Sequence, residues 1–197
     1  MTTHAFPLLR SDLFVKNIGT GERCKELLEY AQSIKANPDN AGLDLSNNGC
    51  WRHQFNYPDI DWIASELTVL AEVAVNSYLQ SDPLYTEKVD RYGQPIFSYW
   101  TNINEPMSRN VLHDHRTSQY VGIYYIQGTD TGDIVFHNPT NVTESCNSHA
   151  PFVSRYAYKP KDGDLVLWPA WMPHETETNR SSRQRINIAF NISYQGS

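Results

Sequence analysis

His113 and His115, one residue apart, and His174, sixty-one positions after the first, are the residues of this 197-residue chain best suited to chemistry. In an extended segment residues i and i+2 project to the same side, so His113 and His115 aim two imidazoles at one point while Asp114 faces away. A neutral imidazole is a good ligand for iron, zinc, copper or nickel. A third one from His174 would complete a metal site with coordination positions left open. His174 follows Gly163-Asp164-Leu-Val-Leu-Trp-Pro169, where a Gly-Asp turn leads into an apolar strand. Pro169 and Pro173 fix the approach to the histidine. Arg185 lies eleven residues beyond His174. His4, His53, His137 and His149 stand alone, and lone histidines are more often surface or hydrogen-bonded core residues than ligands.

The elements that must hold these side chains divide the chain in two. Between Thr20, a plausible N-cap, and Pro38, the apolar positions Cys24, Leu27, Leu28, Ala31 and Ile34 recur at helical spacing. A second helix begins near Asp59 or Asp61, shows Ile60, Ile63, Leu67, Leu70, Ala71 and Ala74 on one face, and stops at Asp82-Pro83. The segment between them, Leu45 to His53, carries an Asn-Asn-Gly turn signal, and Trp51 is expected to anchor it as a structural loop. From Gln94 onward the pattern changes to short β-rich runs separated by Gly, Pro, Asn and Asp. The expected strands are 96–103, 111–116, 120–127, 133–138, 155–159, 164–168, 172–176 and 184–193. Eight strands at this spacing predict a mainly β fold, a double-stranded β-helix of jelly-roll, cupin-like type, with the N-terminal helices packed on one sheet. One domain is expected over 1–197, with a helical layer at 1–90 and a β core at 94–195.

Composition narrows the classes of function. Hydrophobic residues make up 40% of the chain and aromatics 12%, enough for a proper core. Sixteen Lys and Arg against 22 Asp and Glu give a net charge of -6, which argues against nucleic acid or an anionic membrane as partner but leaves room for a local basic pocket. Cys24, Cys50 and Cys146 are odd in number and widely spaced, suggesting neither a disulfide framework nor a thiolate zinc site. The N-terminus has no basic region followed by an apolar run, and no stretch reaches the length of a membrane span, so a cytoplasmic protein is expected.

The ordered pieces Tyr99-Trp100-Thr-Asn102, Asn110-Val-Leu-His113-Asp-His115, Gly122-Ile-Tyr124-Tyr125, Gly132-Asp-Ile-Val-Phe136, Gly163-Asp-Leu-Val-Leu-Trp168-Pro, His174 and Arg185-Ile-Asn-Ile-Ala-Phe-Asn191 resemble the iron(II)/2-oxoglutarate-dependent oxygenases. The resemblance is strongest to an uncharacterised, phage-associated branch near the prolyl hydroxylases, whose N-terminal signature is similar to Ser46-Asn-Asn-Gly-Cys-Trp51. It implies Fe(II) as metal and 2-oxoglutarate as cosubstrate, with dioxygen consumed. Decarboxylation of the cosubstrate to succinate and carbon dioxide would be coupled to hydroxylation of a small molecule or of a peptide or protein side chain. It also implies that Arg185 anchors the far carboxylate of 2-oxoglutarate, with Tyr125 as a second contact to it. The competing reading of Arg185 is an exposed strand-end arginine, and that of Tyr125 a packed aromatic, with Tyr124 one register away.

The departure from the family lies in the triad. The familiar pattern is His-x-Asp/Glu with a distant His, whereas here position i+2 is His115 and the acid is at i+1. Strand geometry favours His113, His115 and His174. A bulge would instead turn Asp114 inward. Asp114 or Glu175 could also accept from ligand imidazole N–H groups. Two rivals keep the fold: a cupin-like metal protein with non-oxygenase chemistry, which has no use for Arg185, and a catalytically silent binding module in which Trp100, Trp168 and Trp171 line a groove. The loop 138–154 is a candidate cover for the site.

Overall fold

The computed structural model describes residues 12–43, 47–54, 60–79, 92–138 and 155–196. In chain order the elements are β1 (Phe14–Asn17), α1 (Glu22–Ala36), β2 (Asn47–His53), α2 (Asp61–Leu79), β3 (Tyr92–Asn110), β4 (Tyr120–Gln127), β5 (Ile134–His137), β6 (Arg155–Tyr158), β7 (Asp164–Pro169), β8 (His174–Thr176) and β9 (Arg185–Gly196).

Helix α1 forms where the 3.6-residue spacing requires it and buries Cys24, Leu27 and Ala31. Its N-cap is Gly21 rather than Thr20 and has no side-chain cap bond; the Gly21 carbonyl accepts from Cys24 N–H at 3.0 Å. The helix ends at Ala36 because Asn37 precedes Pro38 and takes the extended conformation that a pre-proline residue favours. Helix α2 buries Ile63, Leu67, Leu70, Ala71 and Ala74. It lies so close to β4 that a Cβ on Gly122 would come within 2.6 Å of Leu67 Cδ2.

The strands form a six-stranded sheet, ordered β1-β7-β4-β9-β3-β2, and a three-stranded sheet, ordered β6-β5-β8. Alternation sends the side chains of the larger sheet to two different cores. Tyr124, Leu165, Leu167, Ile186, Ile188 and Phe190 pack under the helices. Trp100, Tyr125, Val166, Trp168 and Ala189 face the other way and meet Ile134 and Phe136 of the small sheet.

The expected jelly roll, a cupin-like double-stranded β-helix, is corrected here, because among the described residues the two sheets do not close into a barrel. The large sheet ends at β1 and β2 and the small one at β6 and β8. The reason lies in 111–116, expected as a strand but irregular in the structure. At the end of β3 the Asn110 N–H is taken by the Thr176 hydroxyl at 2.8 Å instead of by a strand carbonyl. Beyond it, His113↔His174 is an isolated bridge, the remnant of a ladder that would have joined the sheets. The other departure is β2. The segment expected as a loop pairs with β3, while Trp51 anchors it as expected, packing against the helix-side core and donating from Nε1 to the Asn40 carbonyl at 3.2 Å. Of the candidate covering loop, residues 139–154 lie outside the described residues, as do His4, His149 and Cys146. Among the described residues no helix is long and apolar enough to cross a membrane.

Candidate metal centre

The bridge that fails as a ladder brings the histidines together. Reciprocal backbone bonds join His113 and His174, at 3.0 and 2.9 Å, and the His115 N–H is held by the Ala170 carbonyl at 2.9 Å. Ring centroids are 4.3 Å apart for His113 and His174, 5.1 Å for His113 and His115, and 5.3 Å for His115 and His174. One ring nitrogen from each lies within 4.8 Å of the others, so the three can close on a single ion.

The hydrogen bonds fix which nitrogens are offered. His113 Nδ1 lies 2.7 Å from the Val111 carbonyl and His174 Nδ1 lies 2.9 Å from the Met172 carbonyl. A carbonyl only accepts, so each Nδ1 carries the proton and each Nε2 keeps a free lone pair for a metal. Burial also holds the rings neutral: it pushes the proton affinity of His113 down and that of His174 well down. Burial, and then the neighbouring His113, lower His115 to about 4. Trp168 stands edge-on to His174 at 4.9 Å, and Trp100 stacks on His115 at 5.8 Å. A neutral, desolvated and pre-oriented set of nitrogens is what a divalent transition metal requires, and these residues fit one.

The acids considered as alternatives are engaged elsewhere. Asp114 accepts from Arg116 Nε at 2.8 Å and is absent from the convergent group. Glu175 pairs with His137 at 3.0 Å, on the opposite side of β8 from His174.

Arg185 is 1% exposed, which excludes the reading as an exposed strand-end arginine. Its guanidinium donates to the Thr131 carbonyl at 2.8 Å, the Thr176 hydroxyl at 2.7 Å and the Glu177 carbonyl at 3.3 Å, while among the described residues Nε has no partner. Among the described residues no carboxylate pairs with it, and burial lowers its proton affinity. Gly132, at φ +96, leaves room for it, since a Cβ there would come within 3.3 Å of Arg185 Nη1. Thr176 and His174 are two residues apart on β8 and share a side, so the guanidinium is anchored about 6.6 Å along the strand from the third histidine. Tyr125 is fully buried on this same side, where burial raises its proton affinity and the Arg185 charge opposes the rise. Tyr124 points to the helices and donates to the Gly19 carbonyl at 2.8 Å.

Residues that the spacing of histidines did not flag complete the wall. Asn102 donates to Asn187 at 2.9 Å, and among the described residues the buried Asn102 Oδ1, Asn104 Oδ1 and Trp168 Nε1 have no partners. Arg52 on β2 lies over Trp100, 4.2 Å from Cζ to the ring centroid. Alternation along β3 from Trp100 would have picked out Asn102 and Asn104. Arg52 could not be found that way, because its segment was not read as a strand.

A two-sheet protein that gathers three neutral imidazoles and a buried, unpaired guanidinium on one face belongs to the class of facial-triad metalloproteins. Residues 98–191 match the family described as "Putative 2OG-Fe(II) oxygenase". The chain belongs to the Fe(II)/2-oxoglutarate oxygenase superfamily. Among solved structures it is similar to a prolyl-4-hydroxylase from Pseudomonas putida, with 13% identity, 93% of each chain covered and a TM-score of 0.62. It is also similar to the viral collagen prolyl hydroxylase of Paramecium Bursaria Chlorella virus-1, with 11% identity, 92% of this chain and 94% of that one covered and a TM-score of 0.56. A third likeness is to the non-heme alpha-ketoglutarate-dependent carbocyclase SnoK from nogalamycin biosynthesis, with 11% identity, coverage of 92% and 79%, and a TM-score of 0.60. At these identities the likeness is one of fold. No curated protein matches the chain in sequence.

Proposed function

We propose that the chain is an Fe(II)- and 2-oxoglutarate-dependent dioxygenase that hydroxylates a small molecule or a peptide or protein side chain. The observation that supports this most is the buried Arg185, which has no carboxylate partner among the described residues and shares a face with the three imidazoles. A guanidinium so far from water is costly unless an anion joins it, and a non-oxygenase metal protein has no use for one here. His113 and His174 would hold the metal through Nε2, their Nδ1 protons fixed on carbonyls, with His115 as the third ligand. Bound Fe(II) and 2-oxoglutarate would supply oxidative decarboxylation with dioxygen, giving succinate and carbon dioxide.

The chain's own residues do the rest. Arg185, braced by Thr131 and Thr176, binds the far carboxylate of the cosubstrate, and Tyr125 lines the same end. Trp100, Phe136 and Trp168 exclude water around the imidazoles. Asp114, held by Arg116, stays out of the ligand set.

Anaerobic titration of the metal-free protein with Fe(II) and 2-oxoglutarate tests the reading. A weak visible charge-transfer band is expected only with both present, and Arg185→Ala should weaken it. Fe(II) binding with no band in the wild type would refute the cosubstrate assignment.

A further inference from the structure

Arg52 is the second cation of this site. In the β2–β3 register it lies opposite Asn102, and directly opposed residues of antiparallel strands project to the same face. Asn102 in turn shares that face with Trp100, which carries the Arg52 guanidinium on its ring and stacks on His115. Arg52 is half-buried, and among the described residues no hydrogen-bond acceptor or carboxylate holds its N–H groups. Its charge reaches both His113 and His115.

The charge arithmetic of the site gives this cation a task. Three neutral histidines leave a divalent metal uncompensated, and 2-oxoglutarate brings only two negative charges, one at the metal and one at the far end. Arg185 is occupied at the far end of the cosubstrate. Asp114, the acid nearest the triad in sequence, is tied to Arg116. The Arg52 charge therefore adds to the excess positive charge left at the site after the cosubstrate is bound, in a chain whose net charge is -6. The Trp100 ring holds the Arg52 guanidinium in place, and its N–H groups, without an acceptor among the described residues, can take a bidentate oxyanion.

We infer that Arg52 is a specificity-determining residue that holds an oxyanion of the substrate, a carboxylate or a phosphate, next to the metal centre. Calling that anion a substrate group rests on the proposed function; the anion site itself does not. Substrates bearing such a group a few bonds from the oxidised carbon are favoured over neutral ones, and Arg52 orients that carbon toward the metal.

The experiment titrates the metal-free protein with acetate and, separately, with inorganic phosphate, following the Trp100 indole N–H by two-dimensional NMR, with Trp100→Phe for assignment. A saturable shift is expected, with acetate marking a carboxylate site and phosphate a phosphate site. In Arg52→Gln the apparent dissociation constant should weaken by about tenfold or more, Arg52→Lys should fall between, and Arg185→Met should keep the shift. No saturable shift with either anion, or an equal shift in Arg52→Gln, overturns the inference. Loss of the Fe(II)/2-oxoglutarate band in folded Arg52→Gln also overturns it, by assigning Arg52 to the cosubstrate. A wild-type protein that shows the Arg52-dependent shift but no band sinks the proposed dioxygenase while leaving the anion site standing.

Discussion

The two faces of the six-stranded sheet are built from alternate residues of the same strands, yet they are different kinds of surface. On β9, Ile186, Ile188, Phe190 and Ile192 face the helices and join an apolar core. The alternate positions Arg185 and Asn187 face the three-stranded sheet and are as deeply buried, at 1% and 4% exposure. Burial therefore does not distinguish the faces, but the kind and number of polar groups buried there do. Among the described residues the helix side leaves Trp62 Nε1 without a partner beside an otherwise apolar core, while the other side keeps an unpartnered Arg185 Nε, Asn102 Oδ1, Asn104 Oδ1 and Trp168 Nε1. Buried polar groups without partners are costly. A face that retains several of them, a guanidinium included, is arranged for a ligand rather than for stability.

Substitutions on the two faces should separate accordingly. Phe190→Ala removes a fully buried ring from the helix side and should cost about 3–5 kcal/mol by denaturant unfolding, while the metal affinity of the folded fraction stays within about twofold. A large loss of metal affinity there would break the division. His174→Ala should do the opposite, weakening metal binding by more than about 100-fold in calorimetric titration. The unfolding midpoint of its metal-free form should hold or rise, because the buried imidazole was desolvated for a ligand. Arg185→Met extends the test, since replacing an unpaired buried charge by an apolar chain of similar length is often neutral or stabilising by about 1–4 kcal/mol. Thermal melts of the metal-free protein should show no loss, whereas 2-oxoglutarate affinity should fall at least about tenfold. Clear destabilisation would mean that Arg185 is there to tie Thr131 to Thr176.

The pH dependence of the metal-free protein sharpens the same contrast. The unfolded imidazoles take up protons near pH 6.5, and the folded ones resist, His115 down to about 4. Between those values the unfolded chain binds more protons, so stability falls as pH drops through the window from about 6.5 to about 4. His115→Asn should flatten that part of the profile. A wild-type profile identical to that of the variant would show that this imidazole is not desolvated.

Much of this was legible in the sequence, and what was not has physical causes. Helices α1 and α2 follow from their apolar spacing, and β4 and β7 from β-rich runs bounded by turn residues. The convergence of His113, His115 and His174 was readable because an i, i+2 pair needs only locally extended backbone. That condition is met by one bridge, even though the strand expected around it does not form. The closed barrel failed for the same reason: closure depends on ladder bonds between distant segments, and nothing in the local pattern of 111–116 signals that Asn110 gives its N–H to Thr176. Strand β2 was hidden because Asn-Asn-Gly signals a turn, while its pairing with β3 accommodates the glycine at a bulge with φ +73. With β2 went Arg52, whose role depends on a cross-strand partner.

The smallest expected effect bears on the departure from the family's ligand pattern. Asp114→Asn removes only the surface pair with Arg116, whose side chain is 80% exposed, and such pairs contribute at most about 1 kcal/mol. Its charge reaches His113 and His115 and slightly favours their protonated forms, so its removal should leave metal affinity within about threefold and, if anything, ease the neutral state of the rings. A carboxylate ligand would behave quite differently, because losing it would remove both a donor atom and the negative charge that balances the ion. Metal titration of Asp114→Asn alongside His115→Asn therefore decides between the two triads. Collapse in His115→Asn with near-wild-type binding in Asp114→Asn supports three histidines, and the reverse order would mean that the loop turns over when the metal enters.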